Sequence, residues 1–111
     1  MVYGTMGGDG QPQTQATIFT RYVTFGHEMQ EAITAPRWLL GRTWGQSSDT
    51  LKVESRFSSD VVNSLRDLGH EVEILNDFDA RVGHAGGIAR FQTGLLEGGF
   101  DPRSDGTVAA Y

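Results

Sequence analysis

The chain has 111 residues, with 9 Lys and Arg against 14 Asp and Glu, a net charge of −5 and no cysteine. That length suits one small domain over 1–111; an acidic balance without a basic block gives no footprint for nucleic acid, and the absence of cysteine excludes disulfides and thiolate metal sites. No apolar run approaches a membrane span, so a soluble chain is expected, whether cytoplasmic, periplasmic or secreted.

Hydrophobic residues make up 38% and glycines number 15, so the core is expected to be thin or to be completed against another segment. Met1-Val2-Tyr3 opens directly in a strand-like run, as expected of a chain cut from a longer reading frame. The run stops at Gly7-Gly8, and Pro12 suits the first turn of a helix. A strand, a glycine turn and a helix start aim main-chain N–H groups at one point. Donors so arranged can hold the oxyanion of an acyl transfer. Taken alone, a plain strand-to-helix connection is the default reading.

From Pro12 the spacing predicts a helix with an apolar stripe of Ile18, Phe19, Tyr22, Val23 and Phe25, broken at Gly26. A second short helix is expected over Glu28 to Ala35, with Glu28 and Glu31 in its first turns and Pro36 ending it. Arg37 to Arg42 reads as extended, and Gly45 to Asp49 as a polar turn. Leu51 and Val53, continuing to Arg56-Phe57, read as a strand with Lys52 and Glu54 on its opposite face. Ser58 or Ser59 then caps a helix with Asp60 in its first turn, Val61, Leu65 and Leu68 on one face, and Gly69 at its end. Glu71 to Ile74 alternates as a half-exposed strand. Two more strands, Ile88 to Phe91 and Leu95-Leu96, join through Gln92-Thr93-Gly94, and turn residues fill the tail from Gly98 to Tyr111.

Individual polar residues read mostly as structure. Thr5 is internal with no base spaced near it, so a cap or turn contact is expected. His27, His70 and His84 lack metal-ligand spacing. Asp77 and Asp79 lie in a polar loop as solvated charges, and Asp9 reads as a helix cap. Arg37 and Arg103, each following Pro, are expected to pair with carboxylates or main-chain carbonyls and fix the chain. Trp38 and Trp44 either cover an edge or line a pocket.

The order of these signals resembles the C-terminal part of the small subunit of gamma-glutamyltransferases, including their cephalosporin acylase-like branch. Gly4-Thr5-Met6-Gly7-Gly8 is similar to the family's Gly-Ser-Pro-Gly-Gly turn. Glu31-Ala32 with Ala35-Pro36-Arg37 matches its Glu-Ala-x-x-Ala-Pro-Arg segment. Leu51, Glu54 and Phe57 match the strand before the capped helix, and Leu65 with Gly69-His70 matches that helix's end. Asp101-Pro102-Arg103, Gly106 and Ala110-Tyr111 match the ending. Thr5-Met6 stands where the family has Ser-Pro, which leans toward the acylase-like branch, and Ala110 stands where the family has Gly before its last Tyr.

The resemblance implies an α+β fold, part of an N-terminal nucleophile hydrolase αββα sandwich with helices on mostly antiparallel sheet. It implies an enzyme that transfers or hydrolyses γ-glutamyl groups of donors such as glutathione, or deacylates a related amide, through a Thr acyl-enzyme and no cofactor. Gly7 and Gly8 correspond to the main-chain oxyanion donors. The nucleophilic Thr, the N-terminal part of the small subunit and the large subunit would lie upstream, so the chain alone is expected to be inactive. The rivals are a catalytically silent α+β module acting through self-association or a partner chain, and a small anion-binding domain using the glycine turn.

Overall fold

A computed structural model describes residues 1–43 and 47–110. The elements run β1 (Val2–Met6), a 3-10 turn (Gly8–Gly10), α1 (Gln11–Phe19), a π-helical turn (Thr20–Thr24), α2 (Met29–Thr34) and β2 (Trp38–Leu40). Then come β3 (Leu51–Glu54), α3 (Ser59–Asp67), β4 (Val72–Leu75), a 3-10 turn (Ala80–Val82), β5 (His84–Arg90) and β6 (Leu96–Phe100). Trp44, Gly45, Gln46 and Tyr111 lie outside the described residues.

Two three-stranded sheets result. One is antiparallel in the order β1-β5-β6; the other, in the order β2-β3-β4, pairs β2 with β3 antiparallel and β3 with β4 in parallel through α3. The molecule is long, 47 × 29 × 20 Å, with a radius of gyration of 14.8 Å against about 13 Å for an ordinary domain of this length. Among the described residues no helix is long and apolar enough to cross a membrane.

The larger core lies between α1, α2 and the inner face of β1-β5-β6, where Ile18, Met29, Ala32, Ile33, Ala85 and Ala89 meet, with Tyr3 and Tyr22 at its margin. Glycines form the sheet's floor there. A Cβ on Gly87 would stand 2.8 Å from Met29 Sδ, and one on Gly99 would stand 2.9 Å from Met29 Cγ, so α2 can seat its Met only on a bare backbone. Many of the chain's glycines therefore serve close packing as well as turns. A second cluster, Leu51, Val53 and Val62 with Phe57, Leu65 and Val72, lies between α3 and β3-β4.

Several expectations are corrected. The stripe after Pro12 buries Ile18 and packs Tyr22 at the core margin but leaves Phe19, Val23 and Phe25 at 43%, 54% and 70% exposure, so the core-facing stripe is narrower than the apolar run. On α3 the buried residue is Val62, while Leu68 is exposed and Val61, 45% exposed, lines an apolar cavity beside Leu65. Arg56 and Phe57 form a turn rather than strand; the chain reverses there to enter α3, whose cap is Ser58, accepting from the Val61 N–H. Lys52 and Glu54 do share the opposite face of β3 from Val53, but that face is buried.

Candidate functional site

The glycine turn follows the last rung of β1, where Met6 pairs with His84. Gly7 has φ +147° and Gly8 φ +52°, the first buried and the second exposed. Gly7 passes directly over Gly83, whose own backbone is at φ 84°, ψ 163°, a region open essentially to glycine alone. A Cβ on Gly7 would lie 3.2 Å from Gly83 Cα, and one on Gly83 would lie 2.6 Å from Met6 O. Two glycines from distant parts of the chain thus let the turn form.

Within the turn the Gly10 N–H donates to Gly7 O at 2.9 Å and the Asp9 N–H to Thr43 O at 3.0 Å. Among the described residues no hydrogen bond engages the N–H of Gly7 or of Gly8. Thr5 donates its hydroxyl to the Met6 and His84 carbonyls, each at 2.8 Å, the turn contact expected of it.

The loop after β2 is latched to this turn. Gln13 Nε2 donates to Leu40 O at 2.9 Å and Gln13 Oε1 accepts from the Leu40 N–H at 2.8 Å. Thr43 donates to Arg81 O at 2.7 Å. Asp9, expected as a cap, makes no side-chain cap bond; its Oδ2 instead accepts from Arg42 Nε at 3.1 Å. The first turn of α1 carries Pro12 and leaves little call for an acceptor there.

Behind the turn lies a buried ionic network. Glu54, fully buried, accepts on Oε1 from Arg103 Nε (2.6 Å) and the Asp79 N–H (3.0 Å). Its Oε2 accepts from Arg103 Nη2 (2.6 Å), the Arg37 N–H (2.9 Å) and Arg56 Nη2 (2.9 Å). Burial alone would raise the Glu54 pKa, but the guanidinium and main-chain donors, Arg103 foremost, outweigh it and hold the carboxyl below its ordinary value. Arg103 also reaches the Ile33 and Ala35 carbonyls, both at 3.1 Å, closing the end of α2. The ring of Phe78 lies 3.7 Å beneath Arg56.

Arg37 carries the network to the glycines. Its Nη2 donates to Gly83 O at 2.9 Å and pairs with Asp101, whose Oδ2 also accepts from the Ala85 N–H at 2.7 Å. Burial brings the Arg37 pKa down to about 10, Asp101 opposing the shift, so the group stays cationic at neutral pH. One ion pair therefore grips the main chain on both sides of His84 and fixes Gly83 beneath Gly7. Arg37 and Arg103 behave as expected from the sequence. The hub at Glu54 and the part of Arg56 were missed; the only signal for Glu54 lay in the family pattern.

The remaining candidates stay apart from the turn. His27 Nδ1 stands 3.1 Å from Glu31 one helical turn on. His70 borders an apolar cavity of about 430 Å³ between β2, β3 and α3, where Trp38 also lies; Trp44 falls outside the described residues. Asp77 accepts from Ser55. Asp79 caps the turn Ala80–Val82, and hydrogen bonding from Arg81 holds its carboxyl below the usual range. Among the described residues no group of three His, Asp or Glu is placed to hold a metal ion.

The chain is similar to several known proteins along nearly its whole length. The oxamate amidohydrolase proenzyme of Klebsiella pneumoniae is 63% identical over 111 residues, covering 100% of this chain and 21% of that protein. A glutathione hydrolase-like proenzyme of Bacillus subtilis is 48% identical over 97% of this chain and 21% of its own length. Among solved structures, the cephalosporin acylase of Bacillus halodurans superposes with a TM-score of 0.84 at 35% identity, over 98% of this chain and 19% of that one. Gamma-glutamyltranspeptidase of Pseudomonas nitroreducens shares the fold, with a TM-score of 0.77 at 22% identity over 99% of this chain and 54% of that one. The chain thus spans about a fifth of the curated relatives it matches, and its helices and sheets are those of the N-terminal nucleophile hydrolase fold. The profile for gamma-glutamyltranspeptidase matches residues 1–111 throughout, and the chain belongs to that family of hydrolases and transferases.

Proposed function

We propose that these residues form the C-terminal part of the nucleophile-bearing subunit of an amide-cleaving N-terminal nucleophile hydrolase, with Gly7 and Gly8 as its oxyanion donors. The observation that carries this reading is the pair of adjacent main-chain N–H groups at the end of β1, bonded to nothing among the described residues. Gly7 is a buried residue, and a ligand oxygen accepting from its N–H would relieve the cost of about 1–3 kcal/mol that a buried unpartnered donor carries.

In this reading self-cleavage upstream frees an N-terminal Thr, whose α-amino group takes the hydroxyl proton as oxygen attacks the amide carbonyl. The oxyanion settles against Gly7 and Gly8, the amine leaves with a proton, and water or an acceptor amine releases the acyl group. Each oxyanion donor is worth about 3–4 kcal/mol to the transition state. Substrates are small amides whose acyl part bears a carboxylate. Oxamate ranks first, supported by the 63% identical relative; γ-glutamyl amides such as glutathione rank second, supported by the 48% identical one.

The test compares the 111-residue chain with the assembled, self-processed enzyme that contains it, on oxamate (ammonia release) and on a chromogenic γ-glutamyl anilide. The assembled enzyme is expected to cleave oxamate, and the chain alone neither. Turnover by the chain alone, or none by the processed enzyme, overturns the reading.

One observation favours a second role beside this. On the outer face of β1-β5-β6, Val2 (79% exposed) lies opposite Ile88 (55% exposed), an apolar strip that pairing with further protein would cover. Sedimentation of the isolated chain as a compact monomer counts against it.

A further inference from the structure

Asp9 is an odd neighbour for an oxyanion site. Its carboxylate follows Gly8 directly in the chain, and a fixed negative charge there opposes the negative charge that the turn is proposed to stabilise. At this position the Asp9 N–H donates to Thr43 O at 3.0 Å and its Oδ2 accepts from Arg42 Nε at 3.1 Å, which links the turn to the loop after β2. Both side chains are half-exposed, at 47% for Arg42 and 64% for Asp9, so neither is there for packing. The end of β2 just before this loop is held by the Gln13–Leu40 pair, and the loop itself by Thr43 on Arg81 O.

We propose that Arg42 is a positioning residue that sets the charge at the oxyanion turn: it neutralises Asp9, so that the latch is kept without an unpaired carboxylate beside Gly8. This rests on the oxyanion role proposed for Gly7 and Gly8. Charge is the operative property, so the effect follows the sign of the side chain at residue 42 and vanishes when Asp9 is also made neutral. It acts on the transition state, where the oxyanion exists, more than on the bound substrate.

The experiment uses the assembled, processed enzyme containing this chain and measures kcat and KM at low and high salt. Arg42→Gln is expected to lower kcat about tenfold at low ionic strength, a size set by one unit charge acting near a protein surface, with KM changed less than about twofold. Arg42→Lys retains kcat. Asp9→Asn leaves kcat at or above the starting value, and the double variant Arg42→Gln with Asp9→Asn recovers it. Molar salt narrows the gap between Arg42→Gln and the parent, since the Debye length falls to about 3 Å.

If Arg42→Gln and the double variant lose activity alike, Arg42 serves the loop's structure and the proposal is overturned. If Arg42→Gln is as active as the parent, it is overturned as well. A parent enzyme that cleaves no amide strikes the functional reading instead, which keeps the two failures distinct.

Discussion

Replacing Glu54 by Gln tests whether the buried ionic network holds this fold together. The carboxylate has no solvent exposure and receives five hydrogen bonds, three from the guanidiniums of Arg103 and Arg56 and two from the Arg37 and Asp79 amides. Gln keeps the shape and one oxygen. It removes the charge and turns an NH2 toward Arg103, which then has one carboxylate partner, Asp101, where it had two.

Removing one member of a buried pair costs about 3–5 kcal/mol, a large part of the roughly 5–15 kcal/mol that domains possess. For a domain near this size each kcal/mol moves Tm by about 4–8 °C, so a fall on the order of 15–25 °C is expected by circular dichroism. The acid limb changes too. The folded Glu54 pKa lies below its unfolded value near 4.5, so its contribution is full above about pH 4.5 and is lost as pH falls through the lower, folded value. Glu54→Gln should flatten that decline. A loss under about 1 kcal/mol in urea melts, with an unchanged acid limb, would refute the claim that this hub organises the fold. Arg81→Ala is the control: Arg81 is itself 48% exposed, paired with Glu73 at 40% and Asp79 at 10%, and ion pairs of an exposed Arg contribute at most about 1 kcal/mol.

Two further outcomes are expected. Gly83→Ala should destabilise by about 3 kcal/mol, from a backbone region closed to L residues and a Cβ 2.6 Å from Met6 O; in the assembled enzyme it should cut kcat more than KM, because Gly7 rests on it. Retained stability and kcat would mean the crossing is not tight. On α3, Val62→Ala should cost about 2 kcal/mol from two lost methyls and the space they leave, and Val61→Ala under about 0.5 kcal/mol. Equal losses would mean that the helix faces are misassigned.

Much of this protein was legible in its residues. Ser58 and Gly69 bracket α3, Pro36 ends α2, and the alternation at Glu71 to Ile74 gives β4, because caps, breakers and period-two patterns act within a few residues. The paired glycines were readable as a turn for the same reason, and the ordered motifs carried the family. Tertiary structure decided what depends on partners far along the chain. Nothing near Glu54 announces that Arg37, Arg56 and Arg103 converge on it, and Gly7 reveals its neighbour only when Gly83 arrives beneath it. Which face of α3 is buried likewise follows from packing on a sheet formed elsewhere. Local sequence sets the backbone's preferences; burial and long-range charge pairing choose among them.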